Sequence, residues 1–453
     1  MPLESRNSRL QKPAPKGCAA FRKPRFRCLT ACIASAFALT PAVALAATTR
    51  IVNNCDDAGP GSLRAQIGAA QSGDTVDLST AQLSCSVITL TSGEIAFSGD
   101  DLILVGPASR TVTITTQGTN RLLHHTGTST LQVQNLTFSG GYYVNPDHFG
   151  DARGGCIYSN AIVKLTHSVV SGCTAYTYAG MNAKGGGIYT DQWVKLYFSQ
   201  VVANRAYAFN NSARGGGIFA GGRLYASYST ISANSAFGGA LGNGGGAYAK
   251  DLVSLSHSTV DSNTARLAAG IQVASANDVG VDSSTISGNQ ASGNVGGLGL
   301  HAVAHLYIEN STIAFNSAAH YAGVYADAFK ATVSSSIIAG NSNNQGGFAD
   351  FYQVNGSWST SSSLVQSYNN APASGTVLVT ADPQLTPLAS HGGPTRTHAL
   401  LATSPAIGQG TNPTGDLYDQ RGAGFSRVVG AAPDIGAYER QVNDDEIFYD
   451  GFD

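Results

Sequence analysis

Ser229–Ala236 reads STISANSA, and variants of that phrase return as SQVVANRA at Ser199–Ala206, STVDSNTA at Ser258–Ala265, STISGNQA at Ser284–Ala291 and STIAFNSA at Ser311–Ala318. Aligning them places Cys173, Asn204, Asn234, Asn263, Asn289, Asn316 and Asn341 at one repeat position, with separations of 31, 30, 29, 26, 27 and 25 residues. A second phrase keeps step: RGGCIY ends at Tyr158, KGGGIY at Tyr189, RGGGIF at Phe219 and GGGAY at Tyr248, with weaker copies at Gly270-Ile271, Gly297-Leu298 and Gly323-Val324. Such a period signals a solenoid or a propeller. Each unit holds short β-branched segments such as Val194–Phe198 and no helix-period stretch. It therefore suits one coil of a parallel β-helix and is too short for a propeller blade of about 40 residues.

In a stacked coil, equivalent side chains superpose about 4.8 Å apart. Ile157, Ile188, Ile218, Ala247, Ile271, Leu298 and Val324 are then expected as an inward apolar column. The asparagines are expected as a structural ladder, tolerant of left-handed φ and bonded from rung to rung. The expected fold is all-β: a right-handed parallel β-helix over residues 74–350, preceded by an N-terminal cap (47–73) whose short helix covers Ser62–Ala70. About 26 residues per rung gives on the order of ten coils. A C-terminal module (351–440) and an acidic, aromatic tail (441–453) follow.

Only 12% of the 453 residues are charged, half the usual roughly 25%, which argues against a disordered or nucleic-acid-binding chain. Eight Lys and Arg against one Glu fall in residues 1–46, leaving 18 bases against 27 acids elsewhere, a mildly acidic balance of −9. Basic residues through Arg27, the apolar run Leu29–Leu39 and the A-x-A spacing Ala44-Leu45-Ala46 read as a signal peptide over 1–46. No later run is long enough for a transmembrane segment. An exported, extracellular or surface location follows, and the four remaining cysteines suggest two disulfides. Three pairings are possible; the sequence-local one, Cys55 with Cys85 and Cys156 with Cys173, is favoured.

The Gly-Gly-Gly-Ile/Ala-Tyr/Phe and Ile-x-x-Asn phrases resemble the repeats of polymorphic outer-membrane proteins, with Ile or Val where that family has Phe. More broadly the chain resembles secreted bacterial proteins of the pectate-lyase-like β-helix superfamily. Asp382–Gly410 (DPQLTPLASHGGPTRTHALLATSPAIGQG) and Asp419–Glu439 (DQRGAGFSRVVGAAPDIGAYE) resemble the choice-of-anchor Q module. That likeness implies display outside the cell. The hydrolase phrases of the wider superfamily are missing, and the acid pairs Asp56-Asp57, Asp100-Asp101 and Asp444-Asp445 lie outside the regular coils. The GGG runs recur once per coil, so they read as turns and not as phosphate cradles.

From the Asn position to the next Gly position, Cys173, Asn204 and Asn234 are followed by 14, 13 and 12 residues, whereas the later coils take 7 or 8. Longer loops stacked on one corner point to a binding side. These loops hold Tyr142, Tyr143, His148, Phe149, Tyr176, Tyr178, Tyr207, Phe209 and Phe237, and end in the recurring cations Arg153, Lys184 and Arg214. Like charges so stacked repel unless something anionic lies among them. The neighbours of the Ile column, Tyr158, Tyr189, Phe219 and Tyr248, are expected to face outward, and these rings with the three cations form a candidate glycan-binding groove. Ordinary packing, with the loops folded over the rings, is the alternative.

The leading functional expectation is a non-catalytic adhesin or glycan-binding protein taking an acidic polysaccharide or a host or cell-surface glycan, with no cofactor and no metal. Against it stand a polysaccharide lyase-like enzyme and a structural surface protein without a ligand. The lyase would use Arg153, Lys184 or Arg214 as base beside Asp147 or Asp151, with calcium as its cofactor. His167 and His257 share a repeat position with Phe198, Tyr228 and Asn310 and read as column fillers. Nothing in the chain fixes its oligomeric state.

Overall fold

A computed structural model describes residues 46–118, 120–145, 150–178, 181–375, 377–442 and 444. The expected signal segment, apart from Ala46, and most of the acidic tail lie outside them. The remainder is the parallel β-helix expected, with about 11 turns, right-handed as crossovers between parallel strands are. Among the described residues the strands form parallel sheets of 19, 12, 8 and 4 members. One coil shows the cross-section. Ile188–Thr190 and Val194–Tyr197 lie on a long face, Gln200–Val202 on a second and Arg205–Ala208 on a third, and Ser212–Arg214 returns towards the next glycine turn.

The registers superpose the repeat as read. Ile157 pairs with Ile188, then Ile218, Ala247, Ile271, Leu298 and Val324, all fully buried. The glycine phrases stack into one ridge. Gly154, Gly185, Gly215 and Gly244 share φ of +64° to +67°, and a Cβ on Gly186 would lie 2.1 Å from the Gly216 carbonyl oxygen, so the close approach of turns requires glycine.

Asparagine amides do run from rung to rung. Asn234 Oδ1 accepts from both the backbone N–H and the Nδ2 of Asn204 at 3.0 Å, and the pattern repeats through Asn263, Asn289, Asn316 and Asn341. Cys173 opens this ladder and Asp350, accepting from Asn341 Nδ2 at 2.8 Å, closes it. The left-handed conformation falls one residue earlier than expected, on Ala203, Ala233, Ser262 and Phe315. The asparagine thus contributes its side chain and its predecessor makes the turn. A serine ladder runs beside it: Ser199 N–H donates to Ser229 Oγ, Ser229 N–H to Ser258 Oγ and Ser258 N–H to Ser284 Oγ. At the corner between the long and second faces, His167, Phe198, Tyr228 and His257 stack in sequence as column fillers, with centroids 4.6–5.0 Å apart.

Parallel pairing passes both expected boundaries of 74 and 350. Thr49–Ile51, inside the anticipated cap, pairs with Thr75–Asp77, and Phe351–Ser361 pairs with Val324–Ser334. These outer coils lack the Gly and Asn phrases, and large side chains such as Phe351 and Trp358 fill their core. The helix forms over Leu63–Ala69, capped by Ser62 Oγ, and buries Leu63 and Ile67 in the lowest coils. Both disulfides take the sequence-local pairing, Cys55–Cys85 and Cys156–Cys173.

Residues 380–442 form no further strand; they lie as an irregular strap along the second face. Thr259, Thr285 and Ser287 bond to Arg396, Gln420 and His398 of the strap. Arg427, fully buried, donates to Asn310, Ser335 and the Asp434 carbonyl. Among the described residues no helix is long and apolar enough to cross a membrane.

Candidate functional site

The long corner segments fold into a thin fin. In each of four successive coils one strand runs out and another returns: Tyr142–Val144 with Ala152–Arg153, Thr174–Thr177 with Ala183–Lys184, Arg205–Ala208 with Ser212–Arg214, and Ser235–Gly238 with Leu241–Asn243. Alanines make this possible. Ala183, Ala206, Ala208, Ala213 and Ala236 form a separate buried cluster whose small side chains let the two sheets approach. Strand alternation then sends the return strand's cations to the opposite side, towards the long face.

That side covers the expected ring ladder. Tyr158, Tyr189, Phe219 and Tyr248 stack in register with centroids 5.1–5.3 Å apart. Arg153, Lys184 and Arg214 each lie over the ring one coil ahead, 5.3, 5.7 and 5.6 Å from the centroids of Tyr189, Phe219 and Tyr248. Tyr189 is 4% exposed and Phe219 1%, so the central rings pack as a secondary core and present no platform to a sugar. Burial, with Asp191 as acceptor at 2.6 Å, pushes the Tyr189 phenol well above its usual range.

The anion among the stacked cations comes from the chain itself. Asp151 accepts from Lys184 Nζ at 2.6 Å and from Asn182 Nδ2 at 3.0 Å, with Arg153 at 3.7 Å. Burial alone would raise its carboxyl, but these donors outweigh it and hold the group below its ordinary value. For Arg153 and Lys184 the requirement for an external anion therefore disappears, while Arg214 is faced by the Tyr248 ring and by no carboxylate among the described residues. Asp147, the other acid of the lyase reading, lies outside the described residues, as do His148 and Phe149. Among the described residues no three His, Cys, Asp or Glu side chains converge to hold a metal ion.

A different aromatic ladder faces solvent, on the fin's outgoing strands. Tyr176, Tyr207 and Phe237 are in register, with centroids 5.2 and 5.4 Å apart and planes within 12°. Tyr142 stacks diagonally on Tyr176 at 6.2 Å. Phe237, 55% exposed, is the last ring, and the register position after it is Arg266. Beyond Phe237 the fin stops, because the next coils have the short corner, and the step opens a groove of about 590 Å³. Its wall is Phe237, and its floor is the polar column Ser235, Thr264, Gln290 and Ser317. Arg205 belongs to the same outward column and lies 4.5 Å from the Tyr207 centroid. One ring face, flanked by hydroxyls, an amide and a guanidinium, can stack a pyranose and bond its hydroxyls.

Of the residues singled out from sequence, Arg153, Tyr158, Lys184, Tyr189, Arg214, Phe219 and Tyr248 are indeed brought together, but beneath the fin. The outer-face rings were legible only as loop aromatics. The floor residues Ser235, Thr264, Gln290 and Ser317 were missed, although the shortened corner after Asn263 marks where the fin must end.

Fold and site together define a parallel β-solenoid with a lateral fin and a stepped polar groove. No protein-family model and no curated protein matches the chain. A solved structure described as the crystal structure of pectate lyase Pel9A aligns with a TM-score of 0.46 at 13% identity, covering 87% of this chain and 96% of that one.

Proposed function

We propose that the protein is an exported, surface-displayed β-helix that binds a glycan without transforming it, the sugar chain lying in the groove at the end of the fin. The observation that carries this reading is Phe237, an exposed ring that ends a stacked ladder and walls a groove floored by Ser235, Thr264, Gln290 and Ser317. Two disulfides favour an oxidising compartment, and the choice-of-anchor likeness of Asp382–Gly410 and Asp419–Glu439 supports display. The cations that a lyase would need as base are held under the fin by Asp151 and by rings, which favours binding over catalysis.

A glycan array with the purified protein tests the proposal, followed by Phe237→Ala and Thr264→Ala variants. Loss of one stacking ring is expected to weaken retention about tenfold or more, with little change in melting temperature. Undiminished retention would remove the groove from consideration. Release of unsaturated uronate from polyuronides with calcium, abolished by changing Arg153, would replace the binding reading with the lyase.

A further inference from the structure

Three tyrosines gather on the last coils, far along the chain from both disulfides, which end at Cys173. Tyr321 lies against Tyr352 with centroids 4.2 Å apart, and Tyr325 stands 5.2 Å from Tyr321 and 6.0 Å from Tyr352. All three are half-buried, so each keeps an edge in solvent. Tyr325 and Tyr352 are register partners on successive rungs, with planes within 7°. Tyr321 arrives by a different route. It stands three residues before Val324, the place that Gly154, Gly185 and Gly215 hold before Ile157, Ile188 and Ile218, and it takes their left-handed conformation, with φ of +55°. That conformation is costly for a bulky side chain. A tyrosine held where glycine serves the lower coils points to a use for its ring.

The turn frees Tyr321 from the spacing of the rungs. Rings in strand register stay about a rung apart: Tyr158 with Tyr189, and Tyr176 with Tyr207, lie face to face at 5.2 Å between centroids. Tyr321 comes closer to Tyr352, tilted by 41°, and the two phenols are hydrogen-bonded to each other. Hydroxyls that meet bring together the ring carbons beside them. We propose that Tyr321 and Tyr352 are a modification site, joined by a carbon–carbon bond between those ring carbons when the chain meets hydrogen peroxide and a haem peroxidase. Each phenol gives up one electron and one proton, and the two radicals couple. The hydrogen on each coupled carbon then moves to its phenolic oxygen, while the peroxide takes the two electrons and two protons and leaves as two waters. His320, whose ring lies 5.7 Å from that of Tyr321, is a base placed to take up the phenol proton. The two disulfides favour an oxidising compartment, where such an oxidant is met. The new bond ties positions 31 residues apart, against 30 for Cys55–Cys85, and fastens the strand Phe351–Ser361 to the coil below it. No cysteine is available to do so at that end of the stack.

The proposal does not rest on the Phe237 groove or on any glycan. Purified protein treated with hydrogen peroxide and a haem peroxidase should gain the fluorescence of dityrosine while remaining a single chain on a denaturing gel. Proteolysis should then release a joined pair of peptides that carries Tyr321 and Tyr352 and is lighter than their sum by two hydrogens. Tyr321→Phe and Tyr352→Phe keep the rings and remove only the hydroxyls, and each should abolish the joined pair. Tyr325→Phe and Tyr207→Phe should leave it in place. Tyr189, only 4% exposed, should not couple to Tyr158 under the same treatment. Mapping on the unaltered protein needs no variant to fold. Absence of coupling within the chain, coupling that survives Tyr321→Phe, or a joined pair formed in preference from Tyr176 and Tyr207 overturns the proposal.

Discussion

Asn263 accepts at its Oδ1 from the backbone and side chain of Asn234 and donates through Nδ2 to Ile231 and Asn289, with no exposure. Asn263→Ala would remove the acceptor of the Asn234 backbone N–H and a donor to the Ile231 carbonyl, both on the preceding rung, each costing about 1–3 kcal/mol. Chemical denaturation should therefore show a loss on the order of 3 kcal/mol. The two phenylalanines of the fin region should separate cleanly. Phe219→Ala, beneath the fin, is expected to lose about 3–5 kcal/mol of stability and no glycan retention, whereas Phe237→Ala should do the reverse. Combined melting and retention measurements check both. At this scale the sequence was a good guide wherever a residue's partner was its own copy one period away, as with Ile188, Asn234 and Tyr189. It failed where the partner lay on another part of the coil: Ala213 against Ala206 is set by how the corner folds back and not by the period.

The strap is the element whose stability should respond to pH. Asp282, on the coil corner beneath it, is pushed up to about 7 by burial first and then by the charge of strap residue Asp416. Glu439, inside the strap, is also raised to about 7, chiefly by burial. A carboxyl whose folded value exceeds its unfolded one binds its proton more tightly in the native state. Its stabilising contribution is full below the unfolded value and is lost as pH rises through about 7. Asp282→Asn should accordingly raise the melting temperature at pH 8 and scarcely alter it at pH 4, with hydrogen exchange of residues 395–440 slowed only at the higher pH. An unchanged pH 8 midpoint would contradict this linkage. The strap was legible as a separate segment through its lost periodicity, but not its seat. Nothing in DPQLTPLASHGGPTRTHALL announces that Arg396 reaches Asp261, because the complementary groups are more than a hundred residues apart. The fin was half legible: its length and place were counted from the corner spacing, and an alternating alanine pattern across both strands would have revealed that it folds flat.

Across the whole molecule, each coil contacts only its neighbours, so cohesion is approximately a sum over rungs. The two disulfides close separations of 30 and 17 residues, both within the first third of the described chain, and each is worth about 3 kcal/mol by loop closure. Reduction should loosen residues 49–175 first and leave Val253–Val365 protected, a gradient that hydrogen exchange with and without reductant would resolve. Uniform exchange along the stack would argue for a single cooperative unit. The glycine ridge has a further implication, for how such a chain changes over generations. Since one turn meets the next through the same backbone surfaces wherever it sits, an in-frame duplication of about thirty codons would insert a complete turn without disturbing those on either side. Copying a finned turn would extend the aromatic strip by one ring and move the step along by one sugar length. Selection could thereby adjust reach in whole increments, with no new architecture to invent.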